Sequence, residues 1–233
     1  MSTNPDSFSS LSRSPDVLGE LLHSLSQPLT TLRCSLEFSL ACEENAHPQQ
    51  QTVSIALQQT EKVIGMVQLM REYVEAEQPG PDANPAALAS VARSVTEEFC
   101  SIAAVRRIRL RLTGTCTATL PLPQSRLRLA LQYLIASLLE AQPDGGKIML
   151  ILGEGPAGAV LRSESDSNVR AQDFRDREDG ALQSARRDAA IANTSLRTAR
   201  LAIARRIMET AGASLVYGKS PMSGFVLRIP RTP

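Results

Sequence analysis

The sequence is poor in aromatic residues, with no tryptophan, three tyrosines and five phenylalanines among its 233 residues. A surface that binds nucleic acid by stacking bases therefore lacks its usual side chains. The charge is nearly balanced, with 25 Lys and Arg against 24 Asp and Glu, which gives a net charge of +1. This balance provides no general attraction to nucleic acids or anionic membranes. We therefore expect neither nucleic acid nor a membrane as a partner.

Metal-binding patterns are missing as well. The chain has four cysteines without a CxxC pair, and its two histidines add few further ligands. We therefore expect no metal, and we interpret Cys34, Cys42, Cys100 and Cys116 as buried free thiols. The sequence also contains no signal peptide and no apolar run of membrane-spanning length, so a cytoplasmic location is predicted.

The N-terminal third contains a long amphipathic helical pattern. Residues 1–13 are rich in serine and are expected to form a disordered leader. Ser14 and Pro15 then provide the N-cap and the first-turn proline of a helix that is predicted to run to about Glu43. The apolar stripe of this helix consists of leucines at steps of three and four residues: Leu18, Leu22, Leu25, Leu29, Leu32, Leu36 and Leu40.

One histidine lies away from this stripe. At about 100° per residue, His23 is roughly 140° from the centre of the stripe, and Gln27 and Thr30 fall beside it. The imidazole is therefore predicted to face water while the leucines face a partner helix. Pro28 removes one backbone hydrogen bond and is expected to bend the helix just after the histidine.

A second amphipathic helix follows a turn at residues 44–49. Its apolar face is formed by Val53, Leu57, Thr60, Ile64, Val67 and Val74, widened by Ala56, Val63 and Met70. Two such helices joined by a short loop predict an antiparallel hairpin over residues 14–78. Two hairpins can close a four-helix bundle, so we predict a homodimer. The alternative is that this apolar face packs on the C-terminal half of the same chain.

Residues 79–84 contain proline and glycine and are predicted to be a linker to a second domain at residues 85–233. Helical and strand patterns alternate in this domain, which predicts an α/β sandwich with helices on one face of the sheet. Residues 116–120 are a candidate neighbour of the first strand, and residues 163–188 are a predicted polar loop. Predicted helices cover about 85–104, 123–141 and 195–211, and predicted strands cover 108–112, 147–152, 160–161, 214–217 and 225–229.

A family resemblance rests on residues 23–29, which read His-Ser-Leu-Ser-Gln-Pro-Leu. They resemble the phosphoacceptor box of sensor histidine kinases. The hairpin resembles the dimerisation and phosphotransfer domain of these kinases, and the elements beyond Pro85 resemble their ATP-binding domain. In particular, residues 127–148 resemble the N-box region, and residues 201–207 and 224–230 resemble the last helix and the closing strand. The resemblance implies a dimeric four-helix bundle followed by a histidine-kinase-type α/β sandwich.

The nucleotide boxes of that family are not preserved. The asparagine that would hold magnesium falls on Ser137, a shorter and weaker ligand, and another usual asparagine falls on Tyr133. Residues 163–168 stand where an Asp-x-Gly-x-Gly box is expected and contain no glycine. The glycine loop that would cradle phosphates is replaced by residues 196–200, Leu-Arg-Thr-Ala-Arg. Since the acidic residue after the histidine is also replaced, by Ser24, we expect that ATP is not used and that this domain is degenerate.

This combination resembles the histidine phosphotransferases of the ChpT kind, which join a dimeric hairpin to a degenerate ATPase-like domain. The resemblance implies that His23 takes a phosphoryl group from the aspartyl phosphate of a response-regulator receiver domain and passes it to another receiver. A neutral imidazole is nucleophilic without strong activation, and magnesium is expected on the receiver, so the chain needs no cofactor of its own. A hybrid histidine kinase is a further expected partner. Ser24, Gln27, Thr30 and Arg33 are the candidate receiver contacts.

Two other functions stay open on the sequence alone. One is a non-catalytic pseudokinase that docks a receiver or a kinase and regulates it by occupancy. The other is a divergent but active histidine kinase. If the four mismatches instead reflect a wrong alignment, the C-terminal half is an unrelated α/β domain.

Overall fold

The structure is a computed structural model that describes residues 17–41, 46–77, 84–155, 157–165, 196–218 and 224–231. Three predicted segments lie outside the described residues. They are the leader, the linker apart from Asn84, and the part of the polar loop beyond residue 165. The chain divides into two compact units. The first contains residues 1–71 and 188–199, and the second contains residues 72–187 and 200–233.

The first unit is helical. It contains α1, Val17–Ala41, and most of α2, Ala46–Glu77, whose last turns from Glu72 onward belong to the second unit. Both helices predicted from the apolar periodicity are confirmed. The helix α1 continues through Pro28 without interruption.

The second unit contains most of the remaining elements, which are β1 Ala86–Ala87, α3 Leu88–Val105, β2 Arg109–Gly114, β3 Thr119–Leu120, α4 Gln124–Ala141, β4 Lys147–Gly155, β5 Gly158–Ser165, α5 at residues 196–210, β6 Ser214–Tyr217 and β7 Phe225–Pro230. The first four residues of α5 belong to the first unit. The second unit is built around a five-stranded mixed sheet in the order β2-β4-β5-β7-β6. The strands β2 and β4 are parallel, and every other neighbouring pair of this sheet is antiparallel. The strands β1 and β3 form a short antiparallel ribbon.

One strand pairing differs from the sequence-based expectation. Residues 116–120 were a candidate neighbour of β2, but β3 pairs with β1, and Ala86 lies opposite Leu120. The neighbour of β2 is β4, with Leu110 opposite Ile148. A strand of two residues is too short to show an alternation of apolar and polar side chains. The sequence pattern of β3 therefore does not indicate its partner strand.

The core lies on one face of the sheet, against the helices. A row of leucines crosses four strands in register: Leu152 on β4, Leu161 on β5, Leu227 on β7 and Leu215 on β6. All four are buried, and burial of each side chain contributes about 1.5–3 kcal/mol. The helices supply further fully buried side chains, among them Leu88, Leu127, Leu131, Leu134, Ile135, Ile203 and Met208. The predicted sandwich is confirmed in this respect.

Two helix ends show the same hydrogen-bond pattern with different residues. After α5, Gly212 has φ +75°, its N–H donates to the carbonyl of Glu209, and the N–H of Ala213 donates to the carbonyl of Met208. This is a Schellman motif, for which glycine is the favoured residue because it has no Cβ. The end of α3 has the same two bonds, but Arg107 occupies the left-handed position with φ 56°.

Arg106 ties the end of α3 to the end of α4. Its guanidinium donates to the carbonyls of Leu139 and Gln142 at 2.6 and 2.8 Å, and its Nε lies 2.9 Å from a carboxylate oxygen of Asp144. A cation at a helix C-terminus neutralises the carbonyls that have no partner within the helix. This arginine therefore has a structural role.

Candidate functional site

The imidazole of His23 is exposed on α1, as predicted. Gln27 and Thr30 follow at steps of four and three residues, which places them on the same helical face, and both are exposed. The next position of this row is Cys34, which is also exposed. α1 therefore presents an open polar face with the histidine near its N-terminal end.

Hydroxyl groups on this face bond to backbone carbonyls of the preceding turn. Pro28 has no N–H to donate to the carbonyl of Ser24. Thr30 donates its hydroxyl to the carbonyl of Ser26 at 2.8 Å, and Thr31 donates to the carbonyl of Gln27 at 3.1 Å. α1 runs as one helix from Val17 to Ala41 across the proline.

The two remaining predicted contact residues lie on opposite flanks of His23. At about 100° per residue, Ser24 is on one side and Arg33 is about 80° away on the other. The side chain of Ser24 is half-buried. The guanidinium of Arg33 lies 2.7 Å from Glu37 in an exposed pair one turn apart. Such pairs are weak, so Glu37 restrains Arg33 only slightly.

Both helices of the first unit keep apolar side chains exposed at coiled-coil spacing. On α1 these are Leu22, Leu29 and Leu36, and on α2 they are Val53, Leu57, Ile64 and Val67. Leu57 is 60 % exposed and Val67 is 52 % exposed. Such a stripe is unusual on the surface of a monomer and marks a face that can accept a partner helix.

The positions aligned with the N-box make internal contacts in the second unit. The hydroxyl of Tyr133 on α4 donates to the carboxylate of Glu72 in the last turns of α2. Ser137, one turn further along α4, is buried with 4 % of its surface exposed and has an interaction partner of its own.

The segment aligned with the phosphate loop is helical. Residues 196–200 form the first turn of α5, and Arg200 extends to Glu140 on α4 with a nitrogen–oxygen distance of 3.0 Å. Ser163, which begins the segment aligned with the Asp-x-Gly-x-Gly box, accepts a hydrogen bond from the N–H of Phe225 at 2.7 Å. These residues link elements of the fold to one another.

Two shallow depressions occur elsewhere on the second unit. One, of about 220 Å³, lies at the end of the sheet beside Thr117, Glu154 and Arg231. There the hydroxyl and the N–H of Thr117 both donate to Glu154 and lower the pKa of its carboxyl. The other lies between the start of α3 and Pro123. Neither is lined by Tyr133 or Arg200.

Two features are absent from the described residues. No three His, Cys, Asp or Glu side chains there come together to form a metal site. The described helices also include none with the length and hydropathy of a membrane span. The expectation of buried thiols is wrong for Cys34 and Cys100, which are exposed on α1 and α3, and it holds for Cys116, while the side chain of Cys42 lies outside the described residues.

No protein-family model matches the chain, and no curated protein matches it. Solved structures do match. The histidine kinase AdeS of Acinetobacter baumannii aligns with a TM-score of 0.58 and 17 % identity over 89 % of this chain and 97 % of that chain. Full-length ShkA, in complex with AMPPNP, aligns with a TM-score of 0.50 and 14 % identity over 90 % of this chain and 44 % of that chain.

At these identities the likeness shows the fold alone. The chain has a histidine-kinase-like fold, in which a helical N-terminal part precedes a mixed α/β sheet that resembles the ATP-binding domain of these kinases. The coarse prediction of the fold is confirmed. The narrower resemblance to the ChpT kind and the dimeric bundle stay predictions.

Several contacts at the end of α2 were not foreseen from the sequence. The guanidinium of Arg206 on α5 lies 5.3 Å from the ring centre of the buried Tyr73, and it donates to the Tyr73 hydroxyl at 3.1 Å. Thr210 donates to the carbonyl of Ala76, and Arg126 donates to the carbonyl of Glu75. These partners are 51 to 134 residues apart in the sequence. The spacing of residues within a single helix or strand does not predict such contacts.

Proposed function

We propose that the chain is a histidine phosphotransferase of a two-component phosphorelay that works without ATP. His23 receives a phosphoryl group from a receiver-domain aspartate and passes it to the aspartate of another receiver. The observation that carries this proposal is the contrast between an exposed His23 and a former phosphate-loop segment that is helical, with Arg200 paired to Glu140.

The proposed transfer reaction requires only one nucleophilic group from this chain. The unprotonated ring nitrogen of His23 forms an N–P bond while the O–P bond of the aspartyl phosphate breaks, and the aspartate leaves as a carboxylate. The reverse step transfers the group to the next receiver. Magnesium belongs to the receiver and neutralises the phosphoryl oxygens there. The contribution of this chain is to hold the imidazole on a continuous helix where a receiver can reach it.

The neighbours of His23 are suited to receiver contact. The exposed amide of Gln27 lies one turn from the imidazole and can donate to a phosphoryl oxygen. The hydroxyl of Thr30 donates its hydrogen to the carbonyl of Ser26, so its oxygen can only accept a hydrogen bond from a receiver. Ser24 and Arg33 lie on the flanks, where they form the rim of the contact. A serine at position 24 suits this role, because transfer from a receiver needs no autokinase base.

The residues aligned with the nucleotide site support the proposal that ATP is not bound. Tyr133 and Ser137 have no side-chain amide oxygen, the group that holds magnesium in kinases, and Tyr133 is bound to Glu72 while Ser137 is buried. In the first turn of α5, side chains stand where glycines would let the backbone approach a phosphate. These contacts support a structural role for the domain.

The proposed partners are response-regulator receiver domains and a hybrid histidine kinase, with the chain acting as a homodimer. The exposed stripes on α1 and α2, typified by Leu29 and Val67, support dimerisation through the helices. Two copies can bury these stripes in a four-helix bundle with coiled-coil-like packing.

The test is transfer of labelled phosphate from a phosphorylated receiver domain to the full chain. We expect label on the wild-type chain, none on His23→Ala, and undiminished label on His47→Ala, which removes the only other histidine. Label that appears from ATP alone, without a receiver, contradicts the proposal and favours a divergent kinase. Receiver binding that survives His23→Ala, with no label on any variant, favours a pseudokinase.

A further inference from the structure

The face of the sheet opposite the helical core is strongly basic. Because side chains alternate along a strand, the residues between the buried leucines point to this second face. Five of them are cationic: Arg109 and Arg111 on β2, Lys147 on β4, Arg162 on β5 and Arg228 on β7. The same rows contain one acidic residue, Glu164, which lies 3.2 Å from Arg162. On a chain with a net charge of only +1, this is a concentrated patch. We call it the basic sheet face.

The middle row of the basic sheet face places a cation among apolar side chains. Ile151 and Val226 lie opposite Arg162 on either side of it, and Val216 follows in the same row with half of its surface exposed. Met149 and Val160 extend the apolar area into the adjoining rows and are only half-buried. Arginines that lie next to apolar side chains are typical of protein interfaces.

One backbone position of this face is open. Gly153 lies on β4 opposite Val160, in the row next to that of Arg162, and a Cβ placed on it meets no atom within 4 Å. The position is therefore free to carry a side chain without disturbing the sheet.

The dimensions fit a helix. Five strands at about 4.8 Å spacing give a face about 19 Å across, and a helix of about 13 residues has that length. The other face of the same sheet is already covered by helices, so helix-on-sheet packing is compatible with its twist and spacing. An aromatic residue for base stacking is absent from the face, which disfavours a nucleic acid.

We propose that the basic sheet face docks an amphipathic acidic helix of a partner protein. The apolar stripe of that helix covers Val226 and Val216, and carboxylates beside the stripe pair with Arg162, which adjoins Val226, and with Arg228. Charge complementarity of this kind raises the association rate and sets the orientation of the helix. This inference does not depend on the proposed role of His23.

The probe is a synthetic 15-residue helical peptide with leucines at i, i+3, i+4 and i+7 and glutamates on both flanks of that stripe. Its binding to the full chain is measured by fluorescence anisotropy. We expect Arg228→Glu to weaken binding by about tenfold, which corresponds to 1.4 kcal/mol. Arg93→Glu makes the same charge change on the exposed side of α3 and is expected to leave binding unchanged.

A second variant tests shape without changing charge. Gly153→Trp fills the open space and is expected to lower the affinity for the peptide by at least about tenfold. The circular dichroism spectrum of this variant is expected to stay that of the wild type. A scrambled peptide of the same charge is the specificity control. The proposal is overturned if the scrambled peptide binds equally well or if Arg228→Glu and Arg93→Glu behave alike. It is also overturned if a DNA duplex or a phosphatidylglycerol vesicle binds this face more tightly than the peptide.

Discussion

The hydroxyl of Tyr133 on α4 donates a hydrogen bond to the carboxylate of Glu72 in the last turns of α2. Burial raises the pKa of this hydroxyl well above its usual value, and the bond to Glu72 raises it further. The tyrosine stands where the kinase resemblance places an asparagine of the N-box. In this chain the position connects two helices of the second unit.

The variant Tyr133→Phe removes this bond without changing the volume of the ring. Since Glu72 then loses its partner, we expect the free energy of unfolding to fall by about 1 kcal/mol at neutral pH. The measurement is urea denaturation of both proteins. A variant at least as stable as the wild type would show that the bond contributes nothing.

The same bond predicts a dependence on alkaline pH. A tyrosine in the unfolded chain ionises near pH 10, whereas folded Tyr133 ionises only at higher pH. Its stabilising contribution is therefore complete below about pH 10 and is lost as the pH rises above that value. We expect a steeper loss of stability between about pH 10 and pH 12 in the wild type than in Tyr133→Phe. Equal slopes contradict the assignment.

The two helix ends with a Schellman pattern predict opposite effects of glycine. Arg107→Gly relieves a left-handed backbone at a residue with a Cβ, so we expect it to stabilise the chain by about 0.5–1 kcal/mol. Gly212→Ala introduces that strain at the end of α5 and should cost about 1 kcal/mol. Thermal unfolding measures both changes, and a destabilised Arg107→Gly variant refutes this explanation.

The exposed stripe of α2 predicts the oligomeric state. If Leu57 and Val67 lie in a dimer interface, the double variant Leu57→Glu, Val67→Glu should be a monomer at micromolar concentration while the wild type is a dimer. The matched control is Val105→Glu, which adds a charge at a residue that is 86 % exposed on α3 and should leave the dimer intact. Light scattering distinguishes these results, and a monomeric wild type refutes the dimer.

The residue after the histidine gives a further prediction. If transfer from a receiver needs no autokinase base, Ser24→Ala should keep the transfer rate within about threefold of the wild type, a difference below 1 kcal/mol. The rate is measured with a phosphorylated receiver in a single turnover. A loss of about a hundredfold or more would mean that Ser24 takes part in the chemistry.

The sequence was sufficient to predict the helices and the long strands. Leucine spacing located α1, and the alternation at residues 108–112 located β2, because periods of 3.6 and 2 residues are direct consequences of burying one face. The predicted end of the last helix at about residue 211 is confirmed, because α5 ends at residue 210 and Gly212 follows with a positive φ. The partner of β3 was not predictable, because a strand of two residues has no period.

The site was predictable only in part. Exposure of His23 followed from its angle to the leucine stripe, since both belong to one helix. The pairs Tyr133–Glu72 and Arg200–Glu140 join residues about 60 positions apart, and such contacts depend on the packing of whole elements. The sequence-based expectation was also wrong for Cys34, which is exposed. Cysteine is generally a buried residue, but Cys34 lies on the polar face of α1, and this position determines its exposure.

The claim that the chain handles phosphoryl groups without ATP is tested most directly by isothermal titration of the purified chain with ATP and magnesium. With Arg200 paired to Glu140 and a helical turn at residues 196–200, we predict no saturable heat of binding up to millimolar nucleotide. Stoichiometric binding with a micromolar dissociation constant would contradict the account.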